Sequence, residues 1–155
     1  MHKKFLVTGI ICAGLAVVFG AFGAHGLKKM VDAESIEVFK TGVQYQFYHA
    51  IALIVAAILF SKIPAKQINW AGNFFLAGIV FFSGSLYTIT LCKAVEVDVP
   101  KFIFPITPLG GICFIAGWFF FTGCGYEKEI GSVIVVVVPF LFSIAKLPSI
   151  VSILF

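Results

Sequence analysis

The chain has 155 residues, of which 61% are hydrophobic and only 12% charged, with a mean hydropathy of +1.09. A soluble domain carries about a quarter charged residues, and one this small leaves too much of its surface wet to bury so much apolar area, so a bilayer must be its solvent. The net charge is +4 and all eleven basic residues are Lys; the planar guanidinium forks that read phosphates and bases are missing, and nucleic acid is not expected as a partner.

The first apolar run, Phe5 to Ala24, is free of charge and matches the roughly 20 residues that cross about 30 Å of hydrocarbon. It exceeds the h-region of a signal peptide and is read as an uncleaved first span. Gly26 and then Lys28 and Lys29 end it with a helix-stop residue and cations suited to the negative end of the helix dipole. From Asp32 to Val43 the charge is mixed, with Ile36, Phe39 and Val43 at helical spacing and Glu34, Glu37 and Lys40 elsewhere on the wheel, the pattern of an interfacial amphipathic helix. It leads into a second span, Tyr45 to Phe60, closed by the polar turn Ser61 to Gln67. The third span runs from Trp70, an aromatic anchor at the headgroups, to Leu91. The fourth runs from Phe102 to Thr122 after the loop Lys93 to Lys101. Short connections make neighbouring helices antiparallel.

Residues 1–122 therefore form a four-helix transmembrane domain and 123–155 a hydrophobic C-terminal extension. Val133 to Val138 is β-branched and is followed by Pro139, Lys146 and Pro148. A fifth helix over 131–155 would carry Lys146 within it, at about 2.5–3.5 kcal/mol if central; an interfacial or re-entrant hairpin is the other solution. Lys3, Lys4, Lys62, Lys66 and Lys128 on one side balance Lys28, Lys29, Lys40, Lys93 and Lys101 on the other. Asp32, Glu34, Glu37, Glu96 and Asp98 dilute the second group more than Glu127 and Glu129 dilute the first. The N-terminus is accordingly expected in the cytoplasm, in a multi-pass protein of the inner membrane.

Antiparallel helices fix which ends meet. His25 ends the first span, Gln44, Tyr45, Gln46, Tyr48 and His49 open the second, Ser83, Ser85, Tyr87, Thr88 and Thr90 lie past the middle of the third, and Thr107 precedes the middle of the fourth. All fall in one half of the bilayer, where polar groups must pair within the bundle or line a wet cavity. Tyr45, Tyr48 and His49 stand at i, i+3 and i+4 and share a helical face that Ala52 and Ala56 continue. His25, Gln44, Tyr45, Tyr48, His49, Ser83, Ser85, Tyr87 and Thr107 are thus candidates for a one-sided polar pocket holding a small ligand or lipid, or passing a solute. The same groups would equally serve as interhelical bonds that only fix packing. His25 and His49 share a membrane face, as a two-histidine metal or haem site would require, but no third ligand joins them. No Asp or Glu lies inside a span and no Ser, His and acid are spaced for hydrolysis. No metal, cofactor or catalytic group is expected, and an enzyme acting on lipid is the weakest of the functional readings. Cys12, Cys92, Cys113 and Cys124 stand singly, without C-x-x-C spacing, as small membrane hydrophobes.

Small residues mark close packing: Ala16, Gly20 and Ala24 in the first span, Ala52 and Ala56 in the second, Gly84 in the third, and Gly110 and Gly111 in the fourth. Four strings then gather in order: Gly20-Ala21-Phe22-Gly23-Ala24-His25-Gly26-Leu27, Thr41-Gly42-Val43-Gln44-Tyr45-Gln46-Phe47-Tyr48-His49-Ala50, Phe82-Ser83-Gly84-Ser85-Leu86-Tyr87, and Thr107-Pro108-Leu109-Gly110-Gly111 with Gly117-Trp118. Over Met1 to Phe121 the chain resembles the domain of unknown function 423 family, the YgdD-like small inner-membrane proteins of bacteria with relatives in eukaryotes. The resemblance implies a four-helix integral membrane protein with both termini cytoplasmic, and no activity. Beyond Phe121 the chain departs from that pattern.

The expectation is an all-α integral membrane protein of four antiparallel helices, an interfacial amphipathic helix and a hydrophobic tail. Its leading function is a non-enzymatic membrane protein with a polar half-pocket. The alternative is an accessory or packing subunit of a larger membrane complex, with membrane lipid, a homo-oligomer or that complex as the partner.

Overall fold

In the computed structural model of the chain, the described residues are 1–60 and 65–123. They form α1 (Lys3–His25), a 3-10 turn (Leu27–Lys29), α2 (Ala33–Leu59), α3 (Ala65–Gly78), a π turn (Ile79–Ser83), α4 (Gly84–Ala94) and α5 (Ile103–Gly123). Four stretches are long and apolar enough to cross a membrane: Lys3–Lys29, Ala33–Leu59, Lys66–Ala94 and Ile103–Thr122. This is the expected all-α bundle. The C-terminal extension, with its alternatives of a fifth helix or a re-entrant segment, lies outside the described residues.

The helix ends follow from local chemistry. His2 caps α1, its Nδ1 accepting the Phe5 N–H at 3.3 Å, and its own backbone N–H donates to the Ala57 carbonyl at 2.9 Å, tying α1 to α2. At the other end Gly26 does not adopt the left-handed conformation of a stop glycine; its φ is −76°. Its value is steric, since a Cβ there would meet the Phe22 ring at 2.7 Å, and the 3-10 turn tightens the exit. Asp32 caps α2 by accepting the Ser35 N–H at 2.7 Å. Glu96 takes the left-handed conformation after α4, with φ of 56°. The Val97 N–H reaches the Cys92 carbonyl and the Glu96 N–H that of Lys93, which is the Schellman closure.

The amphipathic segment 32–43 is not a separate interfacial element. It is the first turns of α2, which runs unbroken for 27 residues, about 40 Å at 1.5 Å per residue against roughly 30 Å of hydrocarbon. Its apolar stripe packs on protein: Ile36, Phe39 and Val43 are buried, and the stripe continues through Gln46, His49, Ala50 and Leu53. Because one face repeats at helical spacing across the expected boundary, nothing turns the chain into the membrane plane.

The third span carries the π turn at its middle, where the Gly84 N–H reaches back to Ile79. A π turn inserts one residue into the helix and rotates all that follows, so the buried face of α3 (Ile68, Ala71, Phe75) passes to Ser83, Ser85 and Thr90. The chain layers antiparallel helices in the order α1, α2, the α3–α4 rod and α5, with α1 packed chiefly on α2 and α5 on α3 and the π turn. Glycine permits several of these approaches. A Cβ on Gly9 would meet the Ala50 carbonyl at 3.0 Å, on Gly42 the Tyr87 ring at 2.9 Å, on Gly72 Phe5 at 2.5 Å and on Gly117 Phe75 at 2.6 Å; on Gly78 it would strike Phe114, and on Gly110 the backbone of Phe81 and Phe82. Of the small residues singled out from sequence, Ala16, Ala52 and Ala56 are buried, Gly20 and Ala24 are half-buried, Gly111 only grazes Phe82 at 4.0 Å, and Gly84 faces open space. Gly84 is free because the π turn aims it out of the bundle.

Candidate functional site

Two apolar clusters flank a polar belt. One holds Phe5, Leu53, Ala56, Ala57, Ile68, Ala71, Phe75, Phe114 and Phe121; the other holds Ala16, Leu27, Phe39 and Val43. Between them on α2 stand Gln46 and His49, 4% and 5% exposed. A polar side chain buried at this depth must be satisfied by protein, and both are.

His49 Nδ1 lies 2.7 Å from the Tyr45 carbonyl, and the Trp118 indole N–H on α5 donates to His49 Nε2 at 3.1 Å. An indole nitrogen only donates and a carbonyl only accepts. The imidazole therefore carries its proton on Nδ1 and is neutral, with both ring nitrogens engaged. It stacks on Phe114 with centroids 3.5 Å apart and an interplanar angle of 11°, and Phe75 closes another side at 5.6 Å. A metal would have to displace one of the two bonds, and among the described residues no three His, Cys, Asp or Glu side chains come together.

Gln46 joins three helices. Its Nε2 donates to the Cys12 carbonyl on α1 at 2.8 Å, and its Oε1 accepts the Tyr87 hydroxyl of α4 at 3.0 Å. The Tyr87 ring packs against Phe39 and Phe19, at 4.9 and 5.1 Å. Nearer the Asp32 end, Thr90 Oγ1 reaches the Ser35 carbonyl at 3.2 Å and Lys93 Nζ donates to Ser35 Oγ at 3.0 Å. Between α4 and α5, Ser85 and Thr107 hydroxyls lie 2.7 Å apart. Ser85 spends its one hydrogen on the Phe82 carbonyl at 2.8 Å, so Thr107 is the donor to Ser85.

The structure thus divides the nine residues chosen from sequence. His49 and Tyr87 belong to the belt, with Ser85 and Thr107 as a separate clasp. Tyr45 is 40% exposed and lays its ring on Phe82 at 4.7 Å, contributing its carbonyl to His49. Gln44 and Tyr48 bond to each other, amide to hydroxyl, at 2.6 Å, on the side of α2 opposite Gln46. His25 is exposed at the end of α1. Ser83, in the π turn, is fully buried, and among the described residues its hydroxyl has no partner.

Two members of the belt were not among the chosen residues. Gln46 stands three residues before His49 and so on its face, a signal present in the sequence. Trp118, on α5, had no such signal, because a tryptophan near a span end reads as an interfacial anchor.

The family model described as "Protein of unknown function (DUF423)" matches residues 19–111. Among curated proteins, the UPF0382 membrane protein YwdK of Bacillus subtilis is 44% identical over 117 residues, covering 75% of this chain and 90% of its own. The UPF0382 membrane protein SH2409 of Staphylococcus haemolyticus is 40% identical over 116 residues, covering 75% and 89%. No solved structure matches.

Proposed function

The chain belongs to the DUF423 family of UPF0382 membrane proteins, and from that premise we propose that this small membrane protein acts as a non-catalytic accessory or packing subunit of a larger membrane assembly. The observation that carries this reading is the pairing of the belt across helices, Trp118 with His49, Tyr87 with Gln46 and Gln46 with Cys12, together with the separate clasp of Thr107 on Ser85. A ligand-binding or proton-carrying site keeps donors and acceptors free for its cargo, whereas these are spent on neighbouring helices. The protein lies in the inner membrane with a cytoplasmic N-terminus, the orientation favoured by the acids at the start of α2 and after α4.

The test is native mass spectrometry of the mildly solubilised protein together with solute flux in liposomes containing it alone. A copurifying partner and no flux are expected. Flux by the protein alone, or a retained small molecule lost on His49→Ala, would refute the reading.

A second reading, a small polar pocket, is supported by one observation: the buried, unpartnered Ser83 hydroxyl in the π turn, a helical irregularity frequent at functional sites. It predicts that Ser83→Ala releases a bound molecule at unchanged bundle stability.

A further inference from the structure

The outward face of α2 breaks the rule that polar groups inside a membrane turn toward the bundle. Glu37, Thr41, Gln44, Tyr48, Ile51, Val55 and Ile58 follow one another at alternating steps of four and three, the a/d repeat of a coiled-coil seam. Gln44 is two residues from Gln46, so the two amides project to nearly opposite sides of the helix. The inner one is buried in the bundle. Along the outer seam Glu37, Ile51 and Ile58 are exposed, and Thr41, Gln44, Tyr48 and Val55 are half-buried.

The polar part of this seam reaches into hydrocarbon. At 1.5 Å per residue, Tyr48 stands about 16 Å and Gln44 about 22 Å from the Leu59 end of α2, within a core roughly 30 Å thick. Gln44 donates to the Tyr48 hydroxyl. Among the described residues, the hydrogen of that hydroxyl and the Gln44 carbonyl oxygen have no protein partner. Lipid tails supply neither donor nor acceptor.

We propose that this seam is the interface of a parallel homodimer, two copies packing α2 against α2 about a two-fold axis along the membrane normal. Complementarity selects a second copy as the occupant. About such an axis residues of equal depth meet, and the two polar groups that the seam carries into hydrocarbon, Gln44 and Tyr48, are each their own complement. The Gln44 amide both donates and accepts, so two copies exchange reciprocal N–H···O bonds. The Tyr48 hydroxyl likewise does both. Glu37, which such an axis brings near its own copy, is neutralised within each copy by Lys40 at 2.8 Å. Below them the exposed Ile51 and Ile58 supply the apolar knobs, with Val55 between them packed partly on the bundle's own core, while a polar residue at one seam position fixes the register. The inference concerns only the outer face and holds whether the inner belt locks the bundle or encloses a ligand.

The experiment is oxidative cross-linking in liposomes of the full chain with Cys12, Cys92, Cys113 and Cys124 replaced by Ala and single cysteines restored one at a time. Cysteine at Thr41, Tyr48, Ile51 or Ile58 should give disulfide dimers about tenfold above controls at Ile10 on α1 and at Ile115 on α5. The single substitution Gln44→Ala, which leaves the buried bonds of Gln46 and His49 in place, should weaken dimerisation measured by dilution FRET by about tenfold, the loss of the reciprocal amide pair. Several outcomes overturn the proposal. Equal cross-linking on and off the seam, or stronger cross-linking at Ile10 or Ile115, places the contact elsewhere. Monomers whose seam cysteines react freely with a lipid-soluble maleimide leave the face to lipid. Monomers whose seam cysteines are shielded identify residues 124–155 of the same chain, or a different protein, as the occupant.

Discussion

Replacing Gln46 by Leu tests whether one buried amide holds three helices together. Its two interhelical bonds, to the Cys12 carbonyl and from the Tyr87 hydroxyl, are worth about 0.6 kcal/mol each by the average for membrane proteins. The Cys12 carbonyl keeps the N–H of its own helix, but the Tyr87 hydroxyl is orphaned, which adds about 1 kcal/mol. Gln46→Leu should therefore cost about 2 kcal/mol. Tyr87→Phe breaks one bond and orphans Gln46 Oε1, for about 1.5 kcal/mol. Removing both ends leaves no orphan, so the double variant should cost only the two lost bonds, about 1 kcal/mol, and not the sum of about 3.5. Reversible unfolding in mixed micelles, followed by tryptophan fluorescence, measures all four corners of the cycle. Additivity within about 0.5 kcal/mol would refute the reasoning, as would a Gln46→Leu variant as stable as wild type.

Nitrogen NMR of the histidines should find His49 with a protonated Nδ1 and a bare Nε2, and Trp118→Phe should shift the Nε2 resonance by removing its donor; a protonated Nε2 in the wild type would contradict the geometry. Gly110→Ala should cost about 3 kcal/mol or more, because a Cβ against the Phe81–Phe82 backbone forces two helices apart, whereas Gly84→Ala, in open space, should be neutral or stabilise by up to about 1 kcal/mol. Thermal unfolding of the two variants side by side decides the point, and equal losses would count against it. The Asp32 carboxyl is held below its ordinary pKa, first by the Ser35 N–H and then by the Ser35 hydroxyl and the Lys93 charge. A folded-state pKa below the unfolded one means that this stabilisation is complete above the ordinary carboxylate range and is lost as pH falls through the folded value. Stability in detergent should therefore decline below about pH 4, and Asp32→Asn should flatten that part of the acid slope; an unchanged slope would remove Asp32 from the account.

Solvent was the first thing decided by sequence alone. A chain this apolar, with charge-free runs of bilayer length, has to place its backbone in helices that satisfy their own hydrogen bonds, and the four spans and their antiparallel order follow from run length and short loops. The depth of each polar group along its own helix was equally legible, because depth is a one-dimensional property of position along a helix. Three features were not. The amphipathic stretch 32–43 looks interfacial until α1 and α4 cover its apolar stripe, since a wheel describes a face and not what covers it. The π turn at Ile79–Ser83 rotates α4 relative to α3 by an amount that no periodicity extrapolated through it reveals, and it sends Gly84 outward and Ser83 inward. Direction around α2 was the last: Tyr48 and His49 are neighbours in sequence and share a face by the i, i+3, i+4 rule, yet only the positions of α1 and α5 determine that His49 meets Trp118 inside while Tyr48 turns to Gln44 outside. Depth is fixed by chain length and hydropathy; azimuth is fixed by neighbours from distant sequence, and it is azimuth that separates a buried hydrogen-bond lock from an exposed seam.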